Sequence, residues 1–303
     1  MRRWPVWLRW GWTLAVLVSA LLAFDSAQVL SRLGRLSASG LIAVLALALL
    51  QVVLSAGRWR YTARLLGLPL PWSEAVREYI LASFINQVMP GGVLGDANRA
   101  LRHGRSTRQS LSALNAVLIE RLAGQIVLVA LAILAWWWLM PGDVVARMME
   151  GLQLPGWSLV LATVMVGLLV ACLWSRLAFA IRSFLSALHF ALLRPRVLLV
   201  QLGVSLPIIL CYVGVFLILA RDLGMGMPVS LLIPGALALL LAMVLPITVA
   251  GWGVRESVAG ILWGLMGYSP ADGLALSVAY GLVFLVASTP GIVWLWPFRR
   301  AVA

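Results

Sequence analysis

The sequence predicts an all-α, polytopic membrane bundle of about 7 or 8 spans, with re-entrant or broken helices among them. Three observations carry this. Of 303 residues, 63% are hydrophobic and 11% charged, with a mean hydropathy of +1.02. That is far more apolar surface than a soluble domain of this length buries. Second, the apolar residues form long runs separated by short segments rich in arginine. Third, proline and glycine breaks with charges beside them interrupt the greasy pattern at two corresponding places. The net charge of +13 would suggest nucleic acid in a soluble protein. Here the arginines lie between apolar runs, where they report orientation in a membrane, and no nucleic-acid partner is expected. All 23 basic residues are arginine, which genome composition explains as readily as selection for phosphate contacts.

Arg2, Arg3 and Arg9 precede an apolar run from Gly11 to Leu30, with Trp4, Trp7, Trp10 and Trp12 where an aromatic belt would lie. The run is longer than a usual signal core, so an uncleaved first span is expected. Gly40 to Ala56 reads as the second span, followed by a basic segment with Arg58, Arg60 and Arg64. Ser73 and Glu74 look like a helix start, and the helix from about Ala75 to Met89 is too short to cross at 1.5 Å per residue. It ends at Pro90, whose ring disfavours continuing the helix, with Gly91, Gly92 and Gly95 just beyond. Arg102, Arg105 and Arg108 then read as a solvated basic segment near anionic headgroups.

Ser110 to Met140 is one long helical pattern with Glu120 and Arg121 inside it and Trp136, Trp137 and Trp138 at its far end. Pro141 to Pro155 reads as an external loop, and Trp157 to Trp174 as a returning span. Leu177, Ile181, Phe184, Leu185, Leu188 and Leu192 have the spacing of an interfacial amphipathic helix. Val197 to Ala220 and Val229 to Leu245 are further spans, Ser257 to Tyr268 a short helix, and Gly273 to Trp296 the last crossing. Most arginines fall on the side of both termini, against Arg32, Arg35, Arg147 and Arg221 on the other. Both termini are therefore expected in the cytoplasm.

The two breaks correspond. Pro90 to Gly95 and Pro246 to Gly251 share a five-residue offset, and an acid and an arginine follow each, Asp96 with Arg99 and Arg255 with Glu256. Matching breaks in two halves of a membrane protein point to an internal repeat and a midplane site made from discontinuous helices. A charge near the bilayer centre costs about 2.5 to 3.5 kcal/mol on insertion scales, so Asp96, Arg99, Glu120, Arg121, Arg255 and Glu256 demand compensation. They either neutralise one another and hold the bundle together, or line a wet cavity for an anionic group such as a lipid phosphate. On the second reading the substrate-binding candidates at the first break are Asn86, Pro90, Gly91, Gly95, Asp96 and Arg99. Glu120 and Arg121 follow, and Gly251, Trp252, Gly253, Arg255 and Glu256 complete the set at the second break. Gln87, Asn98, Asn115 and Gln125 could add polar lining, each with an ordinary interhelical hydrogen bond as the alternative. Cys172 and Cys211 sit inside apolar runs and imply no disulfide framework. His103 and His189 are far apart and near no cysteine cluster, so neither a metal nor a cofactor is expected.

Taken together, Asn86, Pro90, Gly91, Gly95, Asp96 and Arg99, then Glu120 and Arg121, then Pro246, Gly251, Gly253, Arg255 and Glu256 resemble the transmembrane region of the lysylphosphatidylglycerol synthase family, also called the flippase-like domain family. The resemblance covers almost the whole chain. Where that family commonly has Gly-Glu after the first break, this sequence has Gly95-Asp96, which keeps the charge and shortens its reach. It implies one lipid-handling domain over residues 1–303, without the soluble aminoacyl-transferase of the lipid-modifying members. The expected function is a bacterial inner-membrane protein that binds and translocates an anionic or glycosylated lipid through an arginine-lined cavity. One alternative is a non-catalytic partner of a lipid-modifying transferase. The other is an intramembrane enzyme using Asp96, Glu120 or Glu256 as general base, which ranks lowest because no nucleophile motif accompanies them.

Overall fold

The structure is a computed structural model that describes residues 31, 34–89, 92–151, 183–189, 194–244 and 251–295. The expected spans over 11–30 and 157–174, Pro90, Gly91 and Pro246, and most of the segment 175–193 lie outside those residues. Among the described residues every regular element is helical. In chain order they are α1 Ala38–Leu65, α2 Trp72–Val88, α3 Leu94–Thr107, α4 Ser110–Leu139, α5 Gly142–Gly151, α6 Pro195–Asp222, α7 Val229–Ala242, α8 Val254–Leu265 and α9 Pro270–Ser288. A 3-10 turn, Thr289–Trp294, extends α9.

Four of these stretches are long and apolar enough to cross a membrane: α1, α4, α6, and α9 with its 3-10 extension. Between them stand the short helices, of 17 residues in α2 and 14 in α7. At 1.5 Å per residue both fall short of a hydrocarbon core of about 30 Å. The order long, short, short, long thus occurs twice, as α1 to α4 and as α6 to α9. Each half's last helix covers the other half's first short one: α4 packs on α7, and the end of α9 packs on α2.

The first helices of the halves, α1 and α6, lie side by side and run antiparallel. At one end Gln201 donates to Thr62 Oγ1 at 2.8 Å, and at the other Ser37, the N-cap of α1, donates its hydroxyl to Asp222 at 2.6 Å. Corresponding helices pointing in opposite senses are the mark of an inverted-topology repeat. The main apolar core joins α1, α4, α6, α7, α8 and α9, with a second cluster of α1 to α4 around Trp59, Leu68 and Leu70. Facing outward are Ile42, Ile133, Leu199 and Val293, all more than 60% exposed, together with Trp137 and Trp138 at 82% and 77%. A soluble protein would hide such residues, whereas here they form the surface lipid would wet.

Four local readings change. Val229 to Leu245, expected as a span, gives the 14-residue α7, Val229–Ala242, too short to cross. The second span does not stop at Ala56: α1 runs on to Leu65 and carries Arg58 into the interior. The loop expected from Pro141 is helical over Gly142–Gly151, with Asp143 and Arg147 paired one turn apart at 3.0 Å. Arg102 is not simply solvated, because it grips the buried Glu78 of α2 through Nε at 2.8 Å and Nη2 at 2.9 Å. The basic segment was legible as charge, but its partner lay on another helix.

Candidate functional site

The first break is pinned by one side chain. Asn86, on the last turn of α2, accepts a hydrogen bond from the Gly95 backbone N–H at 2.7 Å and donates to Asp96 at 2.9 Å. Its amide therefore ties the end of one half-helix to the exposed donors of the next. Gly95 makes the approach feasible: a Cβ there would lie 1.9 Å from the Ala82 carbonyl oxygen. Backbone cannot rotate out of the way as a side chain can. Gly95→Ala is expected to prise α3 from α2 and cost about 1 to 3 kcal/mol or more. A thermal melt of the purified variant checks this, and a wild-type midpoint would show the contact to be slack.

Around this junction stands a buried network of charges. Arg99 of α3 donates through Nε to Asp96 at 2.9 Å and through Nη2 to Glu120 of α4 at 2.7 Å. Its guanidinium also lies 4.5 Å from the Tyr79 ring centroid and 4.8 Å from that of Trp59. Glu120 spends its other oxygen on Arg58 of α1, at 3.0 Å to Nε and 2.5 Å to Nη2. Arg58 also donates to Ser205 of α6 at 2.8 Å, which links the second half. Arg121 donates to the remaining Asp96 oxygen. Three guanidinium groups therefore share two carboxylates, leaving one positive charge over.

Arg58 is the residue sequence reading missed. The apolar pattern puts it in a basic segment beyond a span, yet it is 6% exposed and occupies space left by Gly124, where a Cβ would come within 2.8 Å of Nη1. A signal was present. Gln51, Ser55, Arg58 and Thr62 recur at three- and four-residue steps, one polar face along an otherwise apolar helix.

The second break is built differently. Gly251 and Gly253 have φ of +79° and +87°, a region that side chains larger than glycine resist. Glu256 accepts from the Gly253 N–H at 2.6 Å, so α8 receives its N-terminal cap from its own first turn. Arg255 donates to Glu256 at 2.6 Å and to Ser277 of α9 at 2.7 Å, its guanidinium lying 5.2 Å from the Trp252 ring and 5.3 Å from that of Tyr280. Trp252 thus covers an arginine.

A cavity of about 280 Å³ lies between the halves. Of the candidates, Asn86, Asp96, Glu120, Arg121 and Gly251 line it, and Arg58, Gln87 and Gln125 join them. Gly95, Arg99, Trp252, Gly253, Arg255 and Glu256 are not part of the lining, so Arg99 and Arg255 do not face the cavity directly. Asn98 is buried away from the cavity, and Asn115 bonds Ser183 at 3.1 Å beside a separate crevice. Arg121 is the accessible guanidinium of the network: its side chain is 39% exposed, against 0% for Arg99 and 7% for Arg58. Its Nε is buried and has no hydrogen-bond partner among the described residues. Chemically, this is a chamber of mixed lining inside an apolar bundle, with a charged side on which the arginines outnumber the carboxylates by one among the described residues, and with Arg121 as its accessible arginine.

Residues 8–291 match the family model described as the lysylphosphatidylglycerol synthase TM region. No curated protein and no solved structure matches the chain.

Proposed function

The chain belongs to the family of lysylphosphatidylglycerol synthase transmembrane regions, and on that premise we propose that it binds the headgroup of an anionic lipid in the inter-half cavity and moves it across the bilayer. The observation that carries this reading is the unbalanced network, in which, among the described residues, Arg58, Arg99 and Arg121 share the two carboxylates of Asp96 and Glu120. A leftover charge at membrane depth is costly, and a monoanionic headgroup entering the cavity would neutralise it. Arg121 offers the contact. The inverted repeat supports movement as well as binding, because a site between two oppositely oriented halves can open to either face as one rocks against the other.

The setting we propose is a bacterial inner membrane with both termini in the cytoplasm. Arg64, Arg108, Arg194 and Arg196 are all exposed where the end of α1 meets the starts of α4 and α6. The opposite end of that helix pair carries Asp222 with Arg35 and Arg221, two exposed arginines against four. Such asymmetry favours the basic end as the cytoplasmic one.

Reconstitution tests the reading. Proteoliposomes containing the full chain are expected to expose a fluorescent phosphatidylglycerol to an external quencher faster than protein-free vesicles do, with little effect on phosphatidylcholine. No acceleration of any anionic lipid would overturn translocation.

A further inference from the structure

The cavity has two walls of different chemistry, and the headgroup reading above uses only one. Facing the charged wall of α1 to α4 is an aromatic wall made by α6 and α9. Tyr212, Tyr280 and Phe284 all line the cavity. Their rings are held against each other, with Tyr280 and Phe284 centroids 4.6 Å apart and Tyr212 and Phe284 5.4 Å apart. Phe216 stacks behind Tyr280 at 4.1 Å and 8° between planes, fixing the array from the back. Gln51, Ser55, Ser83, Gln87 and Gln125 of α1, α2 and α4 and Ser288 of α9 also line the cavity.

Resting on the headgroup reading, we infer that the lipid carries a cyclic polyol or sugar joined through a phosphodiester, its phosphate toward Arg121 and its ring against Tyr212 and Phe284. The negative face of an aromatic ring attracts the weakly positive C–H face of a saturated ring, which simple anionic headgroups lack. Gln51 donates to Ser55, and the Ser83 and Ser288 hydroxyls donate to the Tyr79 and Leu285 carbonyls, so these oxygens are left mainly to accept, while the amides of Gln87 and Gln125 can both donate to and accept from polyol hydroxyls. At about 280 Å³ the cavity is at the small end for ligand sites, with room for a phosphate and one ring but not for acyl chains. A quaternary ammonium would also suit an aromatic face. The spare positive charge of the opposite wall opposes it.

Three short-chain probes decide the matter against the full chain in detergent: dihexanoyl phosphatidylinositol, with a cyclic polyol; dihexanoyl phosphatidylmethanol, with the same phosphodiester and no ring; and dihexanoyl phosphatidylcholine. The inositol probe is expected to bind about threefold to tenfold tighter than the methanol probe, the range an aromatic stack supplies. Phe284→Leu, which keeps apolar bulk and removes the ring, is expected to bring the ratio between the inositol and methanol probes close to one. Tyr212→Leu provides a second variant should the first fold poorly. Equal binding of the two phosphodiesters to the unaltered chain would overturn the inference and leave the headgroup reading standing. Binding of neither would sink the headgroup reading itself, and tightest binding of the choline probe would make the aromatic wall an ammonium site.

Discussion

Replacing Glu120 with Gln is expected to cost about 3 to 5 kcal/mol of stability, the range for removing one partner from a buried ion pair. The amide preserves the shape and removes the charge. The remaining amide oxygen can accept from one arginine, but its NH2 would then face the other; Arg58 would lose its carboxylate and keep the Ser205 hydroxyl, and Arg99 would have Asp96 as its charged partner. Glu120 is 0% exposed and accepts from α1 and α3 while standing on α4, so its loss loosens three helices at once. Denaturant titration in micelles gives the measurement. A second change sharpens it: adding Arg58→Met to Glu120→Gln is expected to restore part of the stability, because one stranded charge disappears while Arg99 keeps Asp96. A loss below about 1 kcal/mol for Glu120→Gln alone would mean that water reaches the network and solvates the arginines.

Arg121→Gln is expected to act in the opposite way, weakening capture of an anionic headgroup by about tenfold to hundredfold with the fold nearly intact. The magnitude follows from losing a hydrogen bond to a charged partner, worth about 1.5 to 3 kcal/mol. Arg121 is the most exposed guanidinium of the network, and without it Asp96 still receives Asn86 and Arg99. The stability cost should therefore stay below about 1 kcal/mol. Binding of phosphatidylglycerol and a melt of the same preparation give both numbers. Full-strength binding by Arg121→Gln would remove Arg121 from the site, while collapse of the fold would assign it to structure beside Arg99.

Arg99 and Arg255 mark where sequence reading stopped. An arginine beside a helix break in an apolar chain needs a reason, either a paired carboxylate or an anionic ligand, and both arginines are buried beside carboxylates and outside the cavity lining. What pattern could not supply was the partner. Asp96 lies one turn from Arg99, so that pair was visible, whereas Glu120 to Arg58 spans 62 positions and depends on how α1 packs against α4. The aromatic wall was hidden for the same reason, since Tyr212 and Phe284 belong to different helices and look like ordinary membrane residues in each.

By itself the sequence determined an all-helical membrane protein, the two interrupted helices and the charges beside them, because chain-local forces set these: apolar run length against bilayer thickness, and the conformations allowed to proline and glycine. Tertiary structure alone decided which arginines neutralise carboxylates and which meets the cavity, that α1 and α6 oppose each other, and that Arg58 belongs to the interior. The physical reason is that a buried charge is stabilised by whatever lies within about 3 Å of it in space, and neighbours at that range come from any helix the packing brings near.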